Sequence, residues 1–132
     1  MGRFNSEQKM TILEAAAAVF AEHGFHGATT RLVGRKAGVN SALIYYYFEN
    51  KDALLAECTR FALGEFLEFL ETRRRPFTGA PERLRFLVNG IFDYWSAHPD
   101  RFHLIVIMLT LHPDQFSQAL KTLLGEHMPV PL

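Results

Sequence analysis

The segment from Thr29 to Lys51 constrains the fold more than any other, because two short helical patterns flank a glycine there. A threonine and Asn40 precede the two patterns, and their side-chain oxygens can accept the free backbone N–H groups that begin a helix. Gly38 suits the tight, left-handed backbone that ends the first helix. The spacing therefore predicts a helix–turn–helix motif, whose second helix lies in the major groove of DNA.

The second helix of this motif, from about Ser41 to Phe48, begins with uncharged and mostly small side chains. Such side chains let a helix N-terminus approach base edges closely. A hydroxyl can hydrogen-bond a base, and an apolar side chain can contact a thymine methyl group. We therefore predict that Ser41, Ala42 and Leu43 contact bases.

Phosphate contacts are predicted on both sides of these residues. Tyr45 and Tyr47 lie two residues apart, so they diverge around the helix and each hydroxyl can meet a phosphate. Lys51 follows the capping residue Asn50, where its charge adds to free backbone N–H groups. The alternative is a core role, which is common for tyrosines next to a phenylalanine such as Phe48. The two caps, the turn glycine and the lysine together favour DNA contact.

Over about Met10 to Leu55 the chain resembles, without a gap, the DNA-binding domain of the tetracycline-repressor-like (TetR) family of bacterial transcription regulators. The residues that carry the resemblance are Phe20, Glu22, Gly24, Phe25, Thr29, Ala37, Gly38, Val39, Tyr45, Phe48, Lys51, Leu54 and Leu55. Gly34 departs from the family's usual alanine, at an expected cost of about 1 kcal/mol of helix stability. Tyr47 departs from a common histidine, but a phenol can also bond a phosphate.

By position, the resemblance implies base contacts at the start of the second helix and phosphate contacts at Thr29, Tyr45, Tyr47 and Lys51. The complete set of predicted DNA-binding residues is Thr29, Thr30, Arg31, Asn40, Ser41, Ala42, Leu43, Tyr45, Tyr46, Tyr47 and Lys51.

The predicted fold class is all-α, with a three-helix DNA-binding domain over residues 1–50 and a partial helical ligand-binding and dimerisation region over residues 51–132. The resemblance implies a repressor that binds a palindromic operator in double-stranded DNA as a homodimer and is released by a small apolar or amphipathic inducer. The alternative from another class is a helical protein–protein interaction module that retains the helix–turn–helix fold.

Charge, cysteine content and the length of apolar stretches limit the partners and the compartment that can be expected. Lys plus Arg and Asp plus Glu both number 14, so net charge gives no support to DNA binding and the prediction depends on local placement. The single cysteine, Cys58, excludes an intramolecular disulfide, which suits a reducing cytoplasm. The most apolar stretch, Leu104 to Leu111, is shorter than the roughly 20 residues that cross a bilayer. We therefore expect a cytoplasmic protein with no membrane partner.

Outside the motif, periodicity predicts five further helical segments. The first helix spans about Ser6 to His23, before breaks at Gly24 and Gly27, and another runs from Asn50 to about Arg73. Pro81 to Ala97 forms a helix with one apolar stripe, Phe102 to Leu111 a buried helix, and a last helix ends at Gly125. The stripe on the Pro81 helix consists of Leu84, Leu87, Val88, Ile91, Phe92 and Trp95.

The aromatic residues of the second half give the predicted ligand site. Most of the twelve phenylalanines and the single tryptophan follow Arg60. A core role explains most of them, but the family resemblance implies an apolar cavity between these helices. The predicted pocket residues are Phe66, Phe69, Asn89, Phe92, Trp95 and Phe102.

No cofactor, metal or catalytic site is predicted. His98, His103 and His112 stand near two aspartates, but the spacings fit no helical metal motif. No nucleophile–base arrangement or phosphate-binding glycine loop is present, so we do not expect an enzyme.

The end of the chain carries one more expectation. The family this chain resembles has further dimerisation helices, whereas the tail Met128–Leu132 cannot continue a helix. The apolar stripe from Phe116 to Leu124 would then have few partners. We expect a truncated or naturally short form that is a weak dimer or an aggregation-prone monomer, with an exposed apolar patch on its last two helices.

Overall fold

The structure is a computed structural model that describes residues 2–127, with side chains between residues 7 and 125. This part of the chain forms seven α-helices and no strand, which confirms the predicted all-α fold. The helices are α1 Gly2–Gly27, α2 Thr30–Ala37, α3 Ser41–Tyr47, α4 Lys51–Thr72, α5 Ala80–Ala97, α6 Pro99–Leu111 and α7 Pro113–His127. The tail Met128–Leu132 lies outside the described residues.

Three side-chain caps set the helix starts of the motif. The side-chain oxygens of Thr29, Asn40 and Asn50 accept hydrogen bonds from the backbone N–H three residues later, over 3.1, 2.9 and 2.8 Å. Each such cap contributes about 1 kcal/mol to helix stability. Gly38 ends α2 with a φ of 77°, the left-handed conformation that glycine adopts without strain. These predicted caps and the predicted turn are confirmed.

Two glycines predicted to end helices behave differently. The predicted break at Gly24 is confirmed, because its φ of 73° and ψ of 176° are not helical and α1 kinks there before a further short turn up to Gly27. Gly125 does not end α7, which continues to His127. An internal glycine costs a helix only about 1 kcal/mol, so flanking residues can carry the helix through it.

A first core lies beneath the helix–turn–helix motif and extends beyond it. Phe20, Ile44 and Leu55 are fully or almost fully buried there, and Leu104 and Met108 of α6 belong to the same cluster. The predicted division after residue 50 coincides with the start of α4, but the core crosses it. Helix α6 therefore packs directly on the half of the molecule that carries the helix–turn–helix motif.

A second core joins the far half of α4 to the later helices. Its buried members are Leu63, Leu67, Leu70, Ile105 and Leu123. Since the same α4 helix contributes to both cores, it links the two halves of the molecule as a single 22-residue rod.

Most of the apolar stripe predicted on α5 faces outward, with only Trp95 half-buried, which corrects the prediction that Phe92 lies in a pocket between helices. Leu84 and Phe92 are 63% and 70% exposed, and Leu87, Val88 and Ile91 are also exposed. The face that packs on α4 instead carries Gly90 and Tyr94. Periodicity identifies an apolar face of a helix, but it does not say whether another element covers that face.

Helix α6 also corrects an expectation, because only one of its faces is buried. Leu104, Ile105 and Met108 are buried, whereas Phe102 and Val106 are exposed. The expected apolar patch on the last two helices is thus present on α6, but the larger part lies on α5. None of the described helices combines the length and the apolarity needed to cross a membrane.

Gly34 has a packing role that helix propensity does not reveal. A Cβ atom at this position would lie 2.6 Å from the carbonyl oxygen of Val39, in the turn that folds back over α2. Backbone cannot move away as a flexible side chain can. The absent side chain therefore allows the close approach that the motif requires.

We predict that Gly34→Ala destabilises the protein by about 1–3 kcal/mol, the range typical of overpacking, although alanine is the better helix former. Gly64→Ala in α4 is the matched control, because its Cβ would meet nothing within 4 Å, and it should be neutral or stabilising. Urea denaturation of both variants measures the difference. A Gly34→Ala variant as stable as Gly64→Ala would contradict the steric account.

Candidate nucleic-acid interface

A shallow surface hollow of about 560 Å³ lies at the turn and the start of α3. Its lining residues are Gly38, Val39, Asn40, Ala42, Leu43 and Tyr46. Ala42 is exposed, and the neighbouring Ser41 and Leu43 are half-buried. The three residues predicted to contact bases therefore stand together at an accessible helix N-terminus.

The opposite face of α3 fixes this surface in place. Ile44 and Phe48 are buried in the first core, four residues apart on one side of the helix. Tyr45 and Tyr46 consequently point away from the core and are 56% and 74% exposed. Burial of one face thus determines which side chains α3 presents to solvent.

The start of α2 lies beside α3 and adds hydroxyl groups. The Thr30 hydroxyl donates to the Tyr45 hydroxyl oxygen over 3.5 Å, which links the two helices. The Thr29 hydroxyl accepts the cap bond, and its own hydrogen remains able to donate to another group. Thr29, Tyr45 and Tyr46 therefore keep hydroxyl hydrogens that can meet phosphate oxygens along one edge of the motif, whereas Thr30 uses its one O–H donor on Tyr45.

Positive charge near the motif is local rather than general. Arg31, Arg35 and Lys36 of α2 are exposed, as the sequence predicted. Among the residues whose side chains the structure describes, no carboxylate lies within 4 Å of these three. Their charges are available to a polyanion even though the chain as a whole is neutral.

Tyr47 has a structural role that its sequence position did not indicate. Its hydroxyl donates to the side-chain carbonyl oxygen of Gln8 over 2.7 Å, and the residue is half-buried. This bond fastens α3 to α1. Because the Gln8 bond uses the one O–H donor of Tyr47, this geometry argues against the phosphate contact that the sequence predicted for it.

Lys51 likewise contacts the protein itself. Its Nζ donates to the carbonyl oxygens of Phe25 and Ala28 over 2.7 and 3.1 Å, and it lies 4.5 Å from the centre of the Phe25 ring. The ammonium group thereby holds the start of α4 against the end of α1. One of its three N–H donors remains for the predicted phosphate contact.

A contact at the start of α4 links the motif to the later helices. Nε2 of His112, between α6 and α7, lies 3.0 Å from Oδ1 of Asp52 in the first turn of α4. Sequence reasoning missed this pair, as it missed Gln8, because the partners are 60 and 39 residues apart. No local pattern indicates such long-range pairs.

The six predicted pocket residues do not line one cavity. Phe66, Phe69 and Trp95 surround the Tyr94 ring at centroid distances of 5.4, 5.2 and 4.9 Å, so aromatic rings fill that space. Phe92 and Phe102 are exposed instead of lying between helices. Asn89 lines a different cavity, at the far end of α4.

Tyr94 fills the space between Phe66, Phe69 and Trp95, where the sequence predicted a ligand. Its side chain is buried, and Arg101 donates to its hydroxyl oxygen over 2.6 Å. Burial raises the pKa of the Tyr94 hydroxyl, against the opposing effect of the Arg101 charge, so the phenol stays neutral. This satisfied, packed tyrosine leaves no room for a ligand within the ring cluster.

Burial also determines the chemistry of the single cysteine. Burial raises the pKa of the Cys58 thiol far above its usual range, and the nearby Glu57 charge adds to this. Such a thiol is a poor nucleophile and does not suit a redox sensor. Within the described part of the chain, no three histidine, cysteine or acidic side chains are grouped as metal ligands.

Comparison with known proteins agrees with this geometry. Residues 12–58 match the family model described as bacterial regulatory proteins, tetR family. The chain is similar to the transcriptional repressor NicS of Pseudomonas putida, with 33% identity over 122 residues. It is also similar to the fatty acid metabolism regulator protein of Bacillus subtilis, with 28% identity over 117 residues. These alignments cover 90% and 89% of this chain, but 57% and 58% of the relatives.

A solved structure shows the same fold over the same region. The chain superimposes on the transcriptional regulator FadR from Bacillus subtilis in complex with stearoyl-CoA, with a TM-score of 0.69 and 27% identity. The match covers 88% of this chain and 62% of that one. The chain thus spans somewhat more than half the length of the relatives it matches.

We predict that Lys51→Met lowers the free energy of unfolding by about 1–3 kcal/mol, because two carbonyl oxygens lose their donor. The methionine keeps the apolar stem of the side chain, so the loss reports the ammonium group. Lys36→Met, at an exposed position of the same motif, is the control and should change stability little. Denaturation without DNA measures both, and equal stability of the two variants would contradict the assigned role of Lys51.

Proposed function

The chain belongs to the TetR family of bacterial regulatory proteins, and on that premise we propose that it is a sequence-specific DNA-binding transcription regulator. The observation that carries the proposal is the accessible start of α3. Ser41, Ala42 and Leu43 stand there on a helix whose opposite face is anchored by Ile44 and Phe48. A short helix held in this way can enter the major groove without rearrangement.

The proposed DNA contacts divide into two kinds. Base edges are contacted by the first turn of α3, through the Ser41 hydroxyl and the apolar surfaces of Ala42 and Leu43. Phosphates are contacted on both flanks by the side chains of Thr29, Arg31, Tyr45 and Tyr46, with Lys51 at the edge. Thr30 instead orients the Tyr45 hydroxyl through their hydrogen bond. The phosphate contacts position the protein, and the base contacts give sequence preference.

We propose repression that a small molecule relieves. NicS, a relative, is named a repressor, and the FadR structure holds stearoyl-CoA, an amphipathic molecule. In this chain Leu104 and Met108 of α6 share a core with α1 and α4, and His112 contacts Asp52. An inducer that changes how the later helices pack on α4 would thereby displace the DNA-binding helices, provided that it binds the two arrangements with different affinity.

The exposed apolar face of α5 and α6 supports association with a second copy. Two half-sites of a palindrome lie roughly 34 Å apart, so one regulator must hold two motifs at that spacing. Exposed apolar patches of this kind are typical of protein interfaces. We propose a homodimer on this basis, acting in the cytoplasm where it reaches DNA.

The same face also favours the alternative function of a helical protein–protein interaction module. Binding to duplex DNA separates the two, because phosphate contacts release counterions and make affinity fall as salt rises. The purified protein should bind duplex DNA with a slope of log affinity against log salt of several units in magnitude. Absence of salt-dependent binding to any duplex would exclude the regulator and leave the interaction module.

We predict that Tyr45→Phe and Tyr46→Phe each weaken DNA binding by about 0.5–1.5 kcal/mol, because each removes one hydroxyl donor. The loss should be the same on all sequences, since phosphates carry no sequence information. Tyr47→Phe is the matched control, because its hydroxyl is bonded to Gln8 and should not contribute to affinity. Fluorescence anisotropy measures the DNA affinity of the three variants. An equal loss of affinity in Tyr47→Phe would contradict the distinction between the exposed tyrosines and Tyr47, which is bonded to Gln8.

A double variant tests self-association. Leu87→Ser with Phe92→Ser removes two exposed apolar side chains from the α5 face and should raise the dimer dissociation constant by at least about tenfold. Arg83→Ser, exposed on the same helix, is the control. Sedimentation at several concentrations gives the dissociation constants. Unchanged association of the double variant would show that copies pair through another surface.

A further inference from the structure

A cavity of about 460 Å³ lies at the C-terminal end of α4, beneath the linker that leads to α5. This volume falls in the range of about 300–1,000 Å³ that is usual for small-molecule sites. Its apolar wall consists of Leu70, Phe77, Phe86 and Gly90, and the Phe77 and Phe86 rings contact each other at 5.1 Å. The cavity lies outside the aromatic cluster around Tyr94, where the sequence placed the ligand.

Three arginines line the same cavity: Arg73, Arg75 and Arg85. Within the part of the chain whose side chains are described, no carboxylate lies within 4 Å of any of them. The Arg73 guanidinium lies 4.1 Å from the centre of the Phe69 ring, which holds it at the wall. Like charges that lack a close ion pair repel one another, and a bound anion reduces that repulsion.

Two carboxylates also line the cavity, so the charge balance must be considered. Glu82 accepts hydrogen bonds from the backbone N–H and the hydroxyl of Thr78, and these bonds lower the pKa of Glu82, with the Arg75 and Arg85 charges adding to the effect. Glu82 is therefore ionised and already bonded within the chain. Asp93 is exposed. Three guanidinium groups against two carboxylates leave the lining positive, and the Asn89 amide adds further donors.

We propose that this cavity holds the effector and that the effector is an amphipathic anion. Its apolar tail would lie on the Phe77 and Phe86 wall, and its carboxylate or phosphate head among the three arginines. Guanidinium groups present paired donors that match the oxygens of either head. The assignment rests on the proposed function, because it names the ligand of the regulator.

Helix α4 gives the site a route to the DNA-binding half. Leu70 lines the cavity and lies in the last turns of α4, whose first residue is Lys51. Helix α5 packs closely on Leu70 at Gly90. A Cβ atom at position 90 would overlap the Leu70 side chain, so only glycine allows this approach. A ligand that changes how α5 meets α4 therefore acts on the helix that supports the motif.

The test uses four probes on the full chain, with binding measured by calorimetry. Octyl phosphate and octanoate carry a tail and an anionic head, and they distinguish the two head chemistries. Octanol and octyltrimethylammonium keep the tail but carry a neutral or a cationic head. We expect at least one anionic probe to bind at least about tenfold more tightly than both non-anionic probes.

Arginine variants then locate the site. The triple variant R73Q/R75Q/R85Q should bind the anionic probe at least about tenfold more weakly. R74Q is the matched control, because Arg74 belongs to the same run but does not line the cavity. If the glutamine triple variant fails to fold, R73K/R75K/R85K keeps the charges and removes the paired donors, and it should also bind more weakly.

The outcomes separate this inference from the proposed function. Equal binding of all four probes, or equal loss in R74Q and the triple variant, overturns the anion site, whether or not the protein binds DNA. Arginine-dependent binding that also releases the protein from DNA supports both proposals. Arginine-dependent binding by a protein with no affinity for any duplex supports an anion site and refutes its role as the effector site of a regulator.

Discussion

The rest of the molecule depends on one constraint: the apolar face of α4 is buried from the first turns of the helix to its last. Leu54 and Leu55 lie in the core beneath the helix–turn–helix motif, and Leu63, Leu67 and Leu70 lie in the second core. Each fully buried leucine contributes about 1.5–3 kcal/mol relative to exposure, so neither half can leave the helix without a large loss. The start of α4 is fixed further by the Asn50 cap and by Lys51.

Residues that interact locally were predictable from the sequence. Thr29, Asn40 and Asn50 cap helices because a side-chain oxygen reaches the N–H three residues later, and this depends on little beyond the residue and its spacing. The bonds from Lys51 to the carbonyl oxygens of Phe25 and Ala28 were not predictable, because sequence spacing does not bring the end of α1 near the start of α4. Phe92 on the α5 stripe was wrongly predicted as a pocket residue, because a helix pattern identifies an apolar face and not the element that covers it.

The candidate DNA surface and the candidate effector cavity follow from different properties of the fold. The DNA surface exists because Ile44 and Phe48 bury one side of α3 and so expose the other. The cavity lies between the end of α4, Phe77 of the following linker and the first half of α5, which contributes Phe86. The sequence predicted a ligand among the densest aromatics, yet Tyr94 shows that a dense cluster fills its own space. The cavity lies where side chains are sparser and charged.

The central claim is that the first turn of α3 determines which DNA sequence is bound. Selection of bound sequences from random duplexes, with the wild-type chain and with Ser41→Ala, tests it most directly. The account predicts that Ser41→Ala changes the preferred base at one position of each half-site, at a cost of about 1–3 kcal/mol for the original base. An identical preferred sequence for both proteins, or a uniform loss of affinity with no change of base preference, would contradict it.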